Sequence, residues 1–320
     1  MSAPIETEAV AEHALTGHDA LLAAVGGGEP IPTALAHPCD PASLLTASDA
    51  AHRRLIVPIL VGPRARIIAV AAESGIDISG FKLVDAPHSH AAAIAAVALV
   101  QSGEARLLMK WSLHTDELIA AVLDRDAGLR TERRLSHVYL MDVPTYPRPL
   151  LITDAAINIA PTLADKADIV RNAVDLAHAI GIACPHVAIL AAVETVNPAM
   201  QSTIDAAALC KMADRGQITG ALLDGPLAFD NAVNPAAAAD KGIVSLVAGR
   251  ADILVVPDIE AGNILAKQLS FLARADAAGI VLGARVPIIL TSRADSARTR
   301  IASVALAVLL ARRSLATVPA

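Results

Sequence analysis

The chain reads as an α/β protein of two lobes, each built on a mostly parallel sheet, and three observations predict this. Short apolar runs alternate with longer helical patterns almost from end to end, the pattern of strands joined by crossover helices. The composition is 54% hydrophobic but only 2% aromatic; Ala, Val, Ile and Leu suit close-packed helices around strands buried on both faces. At 320 residues the chain exceeds the roughly 250 to 300 at which single cores tend to split.

The elements follow in order. The start, "MSAPIETEAVAEHALTG", is acidic and interrupted, unlike the charged and then apolar start of a secretory leader. Residues 1–30, ending in "VGGGEP", are expected to form a leading helical arm. Gly26 to Gly28 follow a helical pattern and precede a proline, whereas a phosphate loop follows a strand and opens a helix. Strands are expected at 56–61, 105–110 and 137–141. "DVPTYPRP" (142–149) holds three prolines, so it marks a boundary rather than a helix or central strand. In the helix that follows, Ile169, Val170, Ala173, Val174, Ala177 and Ile180 recur at helical spacing, and Gly181 stops it. Strands are expected again at 186–193, 252–257 and 286–290, the last after a glycine-rich boundary at 277–287. The closing helix contains "IASVALAVLLA", apolar enough to be buried on most sides. One lobe is therefore expected over 150–282, inserted into another made of 31–149 plus 283–320.

Several function classes are excluded. A formal net charge of -6 argues against a nucleic-acid surface, which shows a basic stripe. Cys39, Cys184 and Cys210 are odd in number and lack metal-ligand spacing, which fits a reducing cytoplasm better than a disulfide scaffold or zinc site. The run at 301–311 is about half of the ~20 residues a membrane-spanning helix needs. His88 and His90 stand two apart at a helix start, a spacing that favours capping over a shared metal.

Four polar clusters follow apolar runs. In "VPIILTSRADSARTRIASVALAVLLARR", Ser292 and Arg293 sit between a strand and a buried helix. Free backbone N–H groups at a helix start and a bidentate guanidinium make an anion site; the plainer alternative is that Arg293 pairs with Asp295 while Ser292, Asp295 or Ser296 caps the helix. In "PDIEAGN", Asp258, Glu260 and Asn263 can hold a ligand or cap the next helix. In "LLDGPLAFDNA", Asp224-Gly225-Pro226 reads as a turn. In "LLMKWSLHTDE", Lys110, Ser112, His114 and Thr115 can complete an anion cradle or serve as ordinary strand-end caps.

Together, "HPCDPASL", "LIVPILVGP", "DAPHSHAAA", "SLHTDEL", "VETVNP", "LLDGPLAFDNA", "PDIEAGN" and "GARVPIILTSRADS", in that order, resemble the phosphate acetyl/butyryl transferase family, over about residues 33–315. The resemblance implies an isocitrate/isopropylmalate dehydrogenase-like fold with a cleft between two α/β lobes, a homodimer, and the reaction acyl-CoA + phosphate ⇌ acyl phosphate + CoA. CoA and phosphate enter as substrates, and no metal or redox cofactor is implied. Arg293 would bind phosphate and the Ser292 hydroxyl would bond the reacting acyl group. This chain departs from the family pattern at Thr299 and Arg298, where relatives carry an acid, which leaves the base unassigned: Asp295 is nearest, Asp258 and Glu260 stand behind it, and phosphate itself could carry the proton. Phe271 replaces an anion-binding arginine, and Trp111 stands where relatives have glycine, so the indole is expected to narrow the cleft. Trp111 and the missing base keep open a second reading, a CoA- or acyl-phosphate-binding protein without turnover.

Overall fold

The computed structural model describes residues 17–292 and 294–316, the side chains of 314–316 excepted. The first half runs α1 (Gly17–Val25), β1 (Ile31–Ala36), α2 (Pro41–His52), β2 (Ile56–Gly62), α3 (Arg64–Glu73), β3 (Lys82–Asp85), α4 (Ser89–Gln101), β4 (Leu107–Lys110), α5 (Thr115–Val122), β5 (Ser136–Asp142) and β6 (Leu150–Thr153). It continues through α6 (Leu163–Ala179), β7 (His186–Leu190), α7 (Gln201–Asp214), β8 (Leu222–Leu227), α8 (Phe229–Val233), α9 (Pro235–Asp240) and β9 (Ile253–Val255). The chain ends with α10 (Ile259–Leu272), β10 (Asp276–Leu282), β11 (Ile288–Leu290) and α11 (Ala297–Ala316).

The strands form a single sheet in the order β3-β2-β1-β4-β11-β10-β5-β6-β9-β7-β8. β3, β2, β1, β4 and β11 pair in parallel, as do β6, β9, β7 and β8. Between these blocks β10 and β5 pair antiparallel to each other and to their neighbours, so the two parallel blocks run in opposite directions. The expected α/β class, with a large and mostly parallel sheet, is therefore observed.

Side-chain alternation along the strands sorts the core. One face carries a single apolar cluster that runs beneath both blocks; it includes Leu107, Met109, Val138, Leu140, Ile189, Ile253 and Ile280, and much of α6 and α11. The other face carries two separate clusters. One holds Leu108, Leu135, Val281 and Ile288 with α4 and α5, and the other holds Met141, Ile152, Ala188, Leu254 and Ala277.

Several local expectations are corrected. Asp224-Gly225-Pro226 lies inside β8, not in a turn, and 277–282 of the glycine-rich boundary belongs to strand β10. α10 begins at Ile259, so Gly262 and Asn263 lie within its first turns. Three expectations hold: α6 ends at Ala179 before Gly181 (φ 99°), His88 caps α4 by accepting the Ala91 N–H, and residues 301–309 of α11 are buried throughout. Gly28 is a packing site, since a Cβ there would lie 2.5 Å from the Arg312 guanidinium, which donates to the carbonyls of Val25 and Glu29. Among the described residues no helix is long and apolar enough to cross a membrane.

Candidate active site

The gap between the two clusters on the split face is a cavity of about 960 Å³. Its rim is built from strand ends. Lys110 closes β4 and Leu290 closes β11, paired in register, and both line the cavity together with Leu113, Thr291 and Ser292. His114 and Thr115, at the start of α5, add a second edge. Opposite them stands α10, where Glu260, Asn263, Ile264 and Lys267 share one face because they recur at three- and four-residue spacing. The floor is His137 and Tyr139, two apart on β5 and therefore on the same side of the sheet.

The anion segment is held by short local bonds. The Ser292 N–H donates to Asp295 Oδ2 at 2.7 Å, and Ser292 Oγ accepts from the Ala294 N–H. Arg300 donates to the Asp295 carbonyl oxygen at 2.9 Å. The cap of α11 falls to Ser296, whose hydroxyl accepts the Thr299 N–H at 3.0 Å. Burial raises the pKa of the Asp295 carboxyl, opposed by the Ser292 N–H and by the positive charges of Arg300 and Lys267. Lys110 Nζ donates to the carbonyls of Trp111 and Leu113, at 3.2 and 2.9 Å, which fixes the ammonium at the cavity edge.

The floor is neutral. Burial drives the His137 imidazole down to about 4, against the opposing pull of Asp154. It also pushes the Tyr139 phenol up to about 12, helped by the negative charge of Asp295. The two rings meet edge to face, centroids 4.4 Å apart at 66°.

Of the residues singled out in the sequence, the structure brings Lys110, His114, Thr115, Glu260, Asn263 and Ser292 around one cavity, with Asp295 bonded to Ser292. Arg293 lies outside the described residues. Three others are placed elsewhere. Ser112 donates to the Asp40 carboxylate, which also caps α2 through the Ser43 N–H, so its hydroxyl ties two strand ends together. Asp258 caps α10 through the Ala261 N–H at 2.9 Å. Asp224 accepts the neighbouring Gly225 N–H, and none of the three lines the cavity. Trp111 corrects a further expectation: the indole is 8% exposed and packed in the continuous cluster on the far face of the sheet, not in the cavity. Arg298 pairs with Asp276 at 2.9 Å, and Phe271 is exposed.

His137, Tyr139 and Lys267 were not singled out. The available signal was a histidine and a tyrosine in alternation within "SHVYLMD", and a lysine four residues after Asn263.

A cavity at strand ends, edged by a helix start and polar on one side, defines a ligand-binding α/β enzyme of the kind that gathers substrates at the carboxyl ends of its strands. The family model described as phosphate acetyl/butaryl transferase matches residues 89–308. A phosphate acetyltransferase of Rhizobium meliloti is 62% identical over 92% of this chain and 94% of its own length. A phosphate butyryltransferase of Clostridium acetobutylicum is 44% identical over 85% of this chain and 90% of its own. The crystal structure of a branched-chain phosphotransacylase from Enterococcus faecalis superposes with a TM-score of 0.77 at 32% identity, covering 88% of this chain and 99% of that one. The chain belongs to the phosphate acetyl/butyryl transferase family, and it is an acyltransferase.

Proposed function

We infer that this acyltransferase interconverts a short-chain acyl-CoA plus phosphate with an acyl phosphate plus CoA, and that it does so in the cavity between the two clusters. The observation that carries this assignment is the convergence of Lys110 and Ser292, from the ends of β4 and β11, with Thr115 at the start of α5, facing the first turns of α10. In the forward direction a phosphate oxygen attacks the thioester carbonyl, the new C–O bond forms, and the C–S pair leaves on sulfur. No electrons are exchanged with a third partner, so the chemistry needs no redox cofactor. The site must hold a dianion near a carbonyl on which negative charge develops. Arg293 grips the phosphate through its paired N–H groups, Lys110 adds positive charge, and the Ser292 hydroxyl donates to the acyl oxygen.

In the reverse direction the CoA thiol must lose its proton. Asp295 is the base of this proposal: it is bonded to the Ser292 backbone, and burial raises its proton affinity. Glu260, Asn263, His114 and Thr115 line the remaining wall and orient the CoA and phosphate groups. Asp258 acts through the helix it caps and Ser112 through the strand ends it ties.

The two separate clusters support a division into two lobes with the cavity as the interlobe cleft, as in isocitrate/isopropylmalate dehydrogenase-like folds. An apolar groove of about 720 Å³ on α10, lined by Phe229, Ile264, Leu269 and Leu272, is the face offered for a homodimer, checked by sedimentation of a Leu272→Asp variant. Coenzyme A and acyl phosphates as substrates support a cytoplasmic location. The non-catalytic alternative rested on Trp111 and on the missing base; the indole packs away from the cavity, and Asp295 is the base of this proposal.

The test is phosphate-dependent CoA release from acetyl-, propionyl- and butyryl-CoA, with Arg293→Ala alongside. Turnover lost in the variant supports the assignment. A folded, CoA-binding protein that releases no CoA from any of the three contradicts it.

A further inference from the structure

The floor of the cavity holds a group to which no role has yet been given. His137 is 1% exposed yet lines the cavity. Its Nδ1 is sealed within the protein and has no hydrogen-bond partner among the described residues, so Nε2 is the ring nitrogen that can meet a ligand. The backbone makes room for this ring on purpose. Gly279 lies on β10, between Ala277 of one cluster and Val281 of the other, and a Cβ there would stand 2.9 Å from His137 Nε2 and 3.2 Å from Tyr139 Cε1. The missing side chain lets the imidazole and the phenol close the bottom of the gap, with Tyr139 set edge to face against the ring.

We propose that His137 is a catalytic residue of the acyl transfer, its Nε2–H donating a hydrogen bond to the acyl carbonyl oxygen as negative charge builds there. This rests on the reading that the cavity is the acyl-transfer site. The proton belongs on Nε2 because a permanently orphaned N–H is rarer in folded proteins than an under-used acceptor, and Nδ1 has no partner to offer. The ring stays neutral through ordinary working pH, so it can donate without competing for the transferred proton. Its floor position, flanked by apolar clusters, suits a carbonyl rather than a dianion, whose charge is met at the rim by Lys110.

A preorganised donor of this kind contributes on the order of 100- to 1,000-fold to kcat. His137→Phe keeps the ring and removes the donor; kcat should fall by about that factor, with the KM for phosphate little changed. His137→Gln, which restores an N–H, should recover part of the loss, and the shape of the pH–rate profile from 6 to 9 should be the same in all three proteins. Nitrogen-15 spectra of wild type labelled at histidine should show the neutral Nε2–H tautomer, with that nitrogen shifting when desulfo-CoA and acetyl phosphate are added. The Arg293→Ala assay on wild type decides the underlying reading separately. Given wild-type turnover, a folded His137→Phe protein with unchanged kcat, or an Nε2 signal that ignores the ligands, overturns the proposal.

Discussion

Lys110 and Trp111 are consecutive at the end of β4 and leave it on opposite faces of the sheet. The ammonium reaches the cavity edge, whereas the indole joins the continuous cluster beneath. Period-two alternation puts Leu107, Met109 and Trp111 on one side and Leu108 and Lys110 on the other. Trp111 is thus a core residue whose Nε1 has no hydrogen-bond partner among the described residues. Trp111→Gly should open a void under the sheet and cost about 3–5 kcal/mol, the range for truncating a buried aromatic. Trp111→Phe, which removes the orphaned N–H and keeps much of the volume, should cost about 1 kcal/mol or less. Urea unfolding checks both, and the ranking of acetyl-, propionyl- and butyryl-CoA as substrates should be the same in Trp111→Phe as in wild type.

That pair also shows how far the sequence can be read. The alternation that separates Lys110 from Trp111 is plain in "LLMKW", and the long helices and the strands at 56–61 and 137–141 follow from the same periodic logic. Strands β8 and β10 escaped because Gly-Pro in one and Ala-Ala-Gly in the other are poor strand formers; their pairing partners decide them. Polar residues after strands led to Lys110, Thr115 and Ser292, which line the cavity. The same rule led to Ser112 and Asp258, which lie off the cavity lining, because a hydroxyl or carboxylate after a strand is equally suited to tie or cap the chain, as both do. It passed over His137 and Tyr139, which lie within a strand and reach the cavity only because two clusters part above them.

Asp295 joins stability to activity. Burial raises its folded pKa above the ordinary 3.8, so the folded state prefers the protonated acid. The associated stability is complete below the unfolded value and is lost as pH rises through the raised folded value. Asp295→Asn can still accept the Ser292 N–H but carries no charge, so it should be more stable than wild type at neutral pH, and the gain should shrink as pH falls toward 3.8. Acylation of CoA by acetyl phosphate should slow by about 100- to 10,000-fold. Equal rates in the two proteins would remove Asp295 as the base.

His137 gives the opposite pH dependence. Its folded pKa of about 4 lies below the free value of 6.5, because the charged ring cannot be hydrated where it sits. The neutral ring is therefore compatible with folding above 6.5, and stability falls as pH drops from 6.5 through 4, by about 3 kcal/mol in all at 1.36 kcal/mol per unit. In His137→Phe this part of the acid loss should be missing. Chemical denaturation at pH 7, 5.5 and 4 would show it as a flatter pH dependence than that of wild type.

A buried ion pair fastens α6 to α7 far from the chemistry. Lys166 Nζ lies 2.7 Å from Asp205 Oδ2, with the side chains 6% and 5% exposed, and Gln201 donates to the other carboxylate oxygen at 2.8 Å. Desolvating both charges offsets most of their attraction, so the pair itself adds little net stability. Removing one member differs, because the survivor stays buried without a counter-charge. Asp205→Ala should therefore cost about 3–5 kcal/mol, while Lys166→Met combined with Asp205→Leu should come within about 1 kcal/mol of wild type. A double-mutant cycle by urea unfolding resolves the coupling. If the double variant were as unstable as Asp205→Ala, the pair would be contributing stability of its own rather than satisfying charges that must be buried together.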